Sequence, residues 1–183
     1  MNIGNAGWKK KLRAFIGIGT LVPETRQGHI LLCMSLWSVI SFLSIDHFVV
    51  SSIVVQGRSM TPTLNTGDTC FVNCWLPHLR GYARGDIVVL RDPDTNELVA
   101  KRIIGMPGDE IQFTSGRVRL NGRLIDEPYL SKSVYTYSRC VGERPFRVSA
   151  DSYFVMGDNR VLSEDSRSYG DVDRAAIVGL ISQ

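Results

Sequence analysis

From Ile30 to Val50 the chain carries an apolar run interrupted only by hydroxyl residues, Cys33 and the pair Asp46-His47. Crossing the hydrocarbon of a bilayer takes roughly 20 helical residues, so Ile30 to Ile45 alone is marginal while the run to Val50 suffices. Asp46 then falls at the interface, where a carboxylate keeps its water. A helix on the surface of a water-soluble core would show a polar face, and this one offers only Ser and Trp. A cleaved secretory leader has an apolar core of about 7 to 15 residues that ends at a small-x-small site. No Ala-x-Ala follows this run. The expected element is an uncleaved membrane anchor, which divides the chain into a basic cytoplasmic tail (1–28), the anchor (29–50) and a catalytic-sized domain (51–183).

Charge distribution supports that division. The chain has 183 residues and a net charge of +3. Lys9, Lys10, Lys11, Arg13 and Arg26 stand against the single Glu24 in the tail, so the surplus lies ahead of the anchor and the rest is nearly balanced. A nucleic-acid partner would call for a basic face on the folded domain, and none is expected. Lys and Arg beside a span stay on the cytoplasmic side. The domain after residue 50 is therefore expected outside, with membrane lipid as a partner. Ala14 to Val22 is too short to span, and either lies in the interface or is a loose tail. Cys70, Cys74 and Cys140 would then meet an oxidising compartment, where one pair could form a disulfide. A Cys-x3-Cys with no second pair and no nearby histidine does not make a zinc site, and no metal is expected.

Beyond the anchor, short aliphatic runs alternate with Gly, Pro, Asn and Asp, the punctuation of a β protein. Strands are expected at Phe48–Val50, Ile53–Val55, Thr69–Asn73, Asp86–Arg91, Glu97–Ile104, Glu110–Phe113, Arg117–Leu120, Ser152–Met156 and Ala176–Ile181. Asn121-Gly122 is a hairpin signal. Leu130 to Arg147 reads as a loop excursion. The fold class is mainly β, an antiparallel sandwich or barrel-like arrangement behind one N-terminal membrane helix.

Ser59 sits in Gly57-Arg58-Ser59-Met60-Thr61-Pro62, a serine among turn-formers just after the apolar run. A hydroxyl needs a base before it can attack a carbonyl. His29 and His47 flank the anchor and His78 has no acidic neighbour in sequence, so histidine is a poor candidate. Lys101, set among Val99, Ala100, Ile103 and Ile104, is a better one, because burial in apolar surroundings lowers a lysine pKa and leaves the amine neutral. Each motif alone has an ordinary reading: a turn serine, an exposed strand lysine, a surface ion pair. The dense polar stretch Gly157-Asp158-Asn159-Arg160 through Ser163, Asp165, Ser166 and Arg167 changes that balance.

Taken in this order, these segments resemble type I signal peptidases, membrane-bound serine proteases with a Ser/Lys dyad. The resemblance covers Phe48 to Gly179. It implies that Ser59 is the nucleophile, Lys101 the general base and Ser163 the serine that orients the lysine amine. Asp158, Asn159, Arg160, Asp165 and Arg167 would form a supporting polar network with Arg102 as partner. No cofactor is implied. Substrates would be secretory preproteins with small residues at P1 and P3, bound as an extended strand in shallow pockets walled by Ile53, Val54, Val55 and Met60. Gly57 stands where many bacterial members carry a serine that helps hold the oxyanion, so backbone N–H groups would do more of that work here. Gln56, Asp46 and the pair Val161-Leu162 also depart from the usual pattern and bear on substrate range. A specialised pilus-processing peptidase and a non-catalytic binding module on the same fold are the alternatives.

Overall fold

The computed structural model describes residues 26–131, 133–138 and 144–182, with side chains other than those of 43–50 and 182. Two compact units, Met1–His47 and Phe48–Gln183, divide the chain. The expected tail up to residue 25, including Ala14 to Val22, lies outside the described residues.

In the first unit, helix α1 starts at Arg26 and the full element runs Arg26–Val49. Its Ile30, Leu31, Met34, Leu36, Trp37, Val39, Ile40 and Phe42 are all more than half exposed. Among the described residues, no helix is long and apolar enough to cross a membrane. The expected strand at Phe48–Val50 is corrected: Phe48 and Val49 continue the helix, and the chain becomes extended only at Val50. β-branched and aromatic residues there favour a strand locally, but a helix already nucleated upstream extends at little cost.

The second unit contains β1 (Val50–Val54), β2 (Thr69–Asn73), β3 (Ile87–Arg91), β4 (Leu98–Gly105), β5 (Glu110–Thr114), β6 (Arg117–Leu120), β7 (Arg123–Leu124), β8 (Phe146–Arg147), β9 (Ser152–Met156), β10 (Val172–Asp173) and β11 (Ile177–Ser182). Two short helices, α2 (Leu76–Arg80) and α3 (Ser166–Tyr169), complete it. The fold is mainly β and antiparallel. One sheet has the order β1-β2-β11-β3-β4-β9-β10, and a smaller one has the order β7-β6-β5-β8. Asn121 and Gly122 both take positive φ, 50° and 76°, the turn that matches the twist of a two-residue hairpin.

β3 shows why the large sheet is buried on both faces. Ile87 and Val89 pack with Val55, Met60, Leu64 and Val72 on one side. Val88 and Leu90 pack with Ile103, Val155 and Leu180 on the other. A continuous aliphatic run of this kind, rather than an alternating one, marks a strand covered twice. A third cluster of Ile104, Ile111, Val118, Phe154 and Met156 joins the small sheet to the large one. Gly105 is required there by close approach: a Cβ would lie 2.6 Å from the Ile111 side chain and 3.0 Å from Phe154. Cys70 and Cys74 are free thiols, and Cys140 lies outside the described residues.

Candidate active site

Ser59 is held by a loop whose ends are pinched together. Val55 donates to the Asp68 carbonyl at 2.8 Å and its own carbonyl accepts from Gly67 at 2.9 Å. Met60 and Leu64 descend from this loop into the core, at 1% and 6% exposure. The Leu64 N–H donates to the Met60 carbonyl at 3.0 Å, closing a turn directly after the serine. Two buried apolar anchors thus leave Ser59 itself partly accessible. Gly57 adopts a φ of +91°, a region that costs any side-chain-bearing residue energy.

Lys101 lies in β4 opposite Val88 of β3. It is 3% exposed, and its Nζ donates to Ser163 Oγ at 3.2 Å. Burial drives its pKa below the ordinary lysine value of 10.5, opposed by the carboxylates of Asp165 and Asp92. The next residue, Arg102, emerges on the other face, as strand alternation requires. Its guanidinium forks onto Asp158, with Nε to Oδ1 at 2.8 Å and Nη2 to Oδ2 at 2.6 Å. It also donates to the Gly85 carbonyl at 2.8 Å and lies 4.0 Å from the centre of the Tyr129 ring.

The polar stretch after β9 wraps around this pair. Asp165 is fully buried and accepts from the Arg167 guanidinium through both oxygens at 2.8 Å. It also accepts from the Gly157 N–H at 2.9 Å. Burial alone would raise the Asp165 carboxyl, yet these donors hold it below its ordinary value. Arg167 further donates to the carbonyls of Arg160, at 2.7 Å, and Ser163, at 3.1 Å. The Asn159 N–H donates to the Ser59 carbonyl at 2.9 Å, and the Asn159 carbonyl accepts from the Ser163 N–H at 3.0 Å. One residue therefore ties the serine loop to the loop that carries Ser163.

Gly157 is where the parts meet. A Cβ on it would collide with the Ser163 side chain and come within 2.5 Å of the Ser59 carbonyl. Because the backbone at 157 has no side chain, the Ser59 carbonyl and Ser163, the partner of the Lys101 amine, can both lie against it. Sequence reading did not single out Gly157 as a site residue, nor Thr63, Thr136 and Glu127. Thr63 donates to Asp158. Arg160 pairs with Glu127 at 2.5 Å and donates to Thr136 at 2.7 Å. The residues expected to wall substrate pockets are distributed differently from one another: Val54 is 59% exposed, Ile53 is half-buried, and Val55 and Met60 belong to the core. Among the described residues no group of His, Cys, Asp and Glu is arranged to hold a metal ion.

Residues 28–183 match the family described as signal peptidase, peptidase S26. The chain belongs to this family. It is accordingly a serine endopeptidase, a hydrolase of peptide bonds. Signal peptidase I of Bacillus amyloliquefaciens is 40% identical over 138 residues, which span 72% of either chain. That of Bacillus licheniformis is 36% identical over 149 residues, 78% of this chain and 80% of the relative. A crystal structure of a signal peptidase I from Enterococcus faecalis V583 is 30% identical, with a TM-score of 0.48 over 55% of this chain and 97% of that one.

Proposed function

We propose that this chain is a membrane-anchored signal peptidase that removes N-terminal signal peptides from secreted preproteins through Ser59 and Lys101. The observation that carries the reading is a buried lysine amine hydrogen-bonded to Ser163, beside the one glycine that also abuts the Ser59 carbonyl. An amine without water loses its preference for the charged form and becomes a usable base near neutral pH.

Ser59 Oγ attacks the scissile carbonyl while Lys101 Nζ takes its proton. The Ser59 N–H is the principal donor to the oxyanion, since Gly57 brings no hydroxyl to that task. Lys101 then returns the proton to the departing amine. Water attacks the resulting ester with Lys101 again as base, which frees Ser59. Ser163 orients the amine. Asp165, Arg167, Asp158, Asn159, Arg160 and Arg102 hold the loops in register. No cofactor enters these steps.

Preproteins with small residues at P1 and P3 would lie extended along the sheet edge near Val54, with Ile53 and the aliphatics beside Lys101 as walls. Helix α1 would be the anchor. Its described apolar residues are exposed on every side, a surface that water does not stabilise and lipid does. With residues 43–50 the apolar run reaches the length a bilayer needs. The basic tail then places the catalytic domain on the extracytoplasmic face of the cytoplasmic membrane.

The test is cleavage of a preprotein with an Ala-x-Ala site by detergent-solubilised full-length protein. Ser59→Ala and Lys101→Ala should each lose about 10² to 10⁴ in rate or more, with the circular dichroism spectrum unchanged. Equal activity in all three proteins would sink the dyad.

A further inference from the structure

Resting on the dyad reading above, we infer that Tyr135, Tyr137, Leu162 and Glu164 form a subsite for a basic side chain of the substrate on the mature side of the cut. The four line one cavity of 470 Å³, and Ser163, the partner of the Lys101 amine, is part of its wall.

The tyrosines have no evident role in the fold. They are 62% and 68% exposed, with rings 6.4 Å apart at an interplanar angle of 23°. Yet the strip that bears them is firmly held. Thr136, between them, is 1% exposed; its N–H donates to the Gly116 carbonyl at 2.8 Å and its hydroxyl accepts from Arg160 at 2.7 Å. The Tyr135 ring lies against Gly116, where a Cβ would strike it. Large aromatic faces kept in water on an anchored strip form a prepared contact surface, because little entropy remains to be lost on binding.

Charge selects the occupant. The two guanidinium groups in the wall are already matched, Arg160 by Glu127 and Arg167 by Asp165. Glu164 is exposed and forms no ion pair among the described residues, so the rim presents a carboxylate to solvent, within electrostatic reach of Lys101. Aromatic faces, an exposed Leu162 at 57% and a carboxylate suit the aliphatic stem and cationic head of lysine or arginine. Position follows from the proton path: Lys101 delivers its proton to the departing amine, so the mature chain leaves on the lysine side, where Ser163 and the cavity lie.

Cleavage of a peptide set with Lys, Leu or Glu at successive mature-side positions tests this, using the full-length protein. At one position Lys should exceed Glu by roughly fivefold in kcat/KM, carried mainly by KM. The Lys-to-Glu ratio should fall towards one in the Tyr135→Ala/Tyr137→Ala double variant and drop at least twofold in Glu164→Gln. Because the ratio is taken within each protein, any loss of folded material cancels. A wild-type ratio near one at every position, or a ratio unmoved by both variants, would overturn the subsite. Ser59→Ala, assayed alongside, reports separately on the dyad through loss or retention of turnover.

Discussion

Lys101 is the proposed base because of what surrounds it, and its titration is the most direct consequence. Burial lowers its pKa from 10.5, so the neutral amine is populated at lower pH than in a solvated lysine. The kcat/KM profile should rise through an apparent pKa below 10.5 and then level off, as read from single-turnover rates across pH. A rise centred at or above 10.5 would mean a solvated base. Stability has the opposite cast to that of a salt-bridged lysine. A lysine whose folded pKa lies below its unfolded value weighs against the fold at low pH. That burden lifts as pH rises from the depressed value towards 10.5. The motif around Ser59 and the aliphatic neighbours of Lys101 were legible in the sequence. Gly157 was not, because its significance is the collision a Cβ would suffer with residues brought near only by folding.

Strand β4 presents neighbouring residues to opposite faces, and this lets one element serve two purposes. Lys101 faces Ser163, while Arg102 clamps Asp158 and so binds the strand to the loop after β9. The Asp158 side chain has no exposure and that of Arg102 only 10%, so removing one charge strands the other away from water. Asp158→Asn should cost about 3 to 5 kcal/mol in urea unfolding, and a loss under 1 kcal/mol would show that the pair is solvated. Strand positions were read to within a residue or two for most of the domain, since Gly, Pro and Asn bound each aliphatic run. The stretch Leu130 to Arg147 showed no period. Its order at Tyr135–Tyr137 comes from Thr136 reaching across to Arg160 and Gly116, pairings with no local signature.

At the scale of the whole chain, the exposed apolar residues of α1 carry the anchoring proposal. If α1 is a membrane anchor, the full-length protein should sediment with membranes after an alkaline carbonate wash and be released only by detergent; release by carbonate alone would make the helix a peripheral element. The sequence by itself determined the antiparallel β domain and the apolar helix, and offered Ser59 and Lys101 as candidates, because periodicity, turn residues and short motifs are local properties of a chain. Only the tertiary structure decided which of the polar residues pair with which. Buried ion pairs such as Arg102–Asp158 and Arg160–Glu127 join residues far apart in sequence, and a charge finds its partner only when packing removes the water that would otherwise satisfy it.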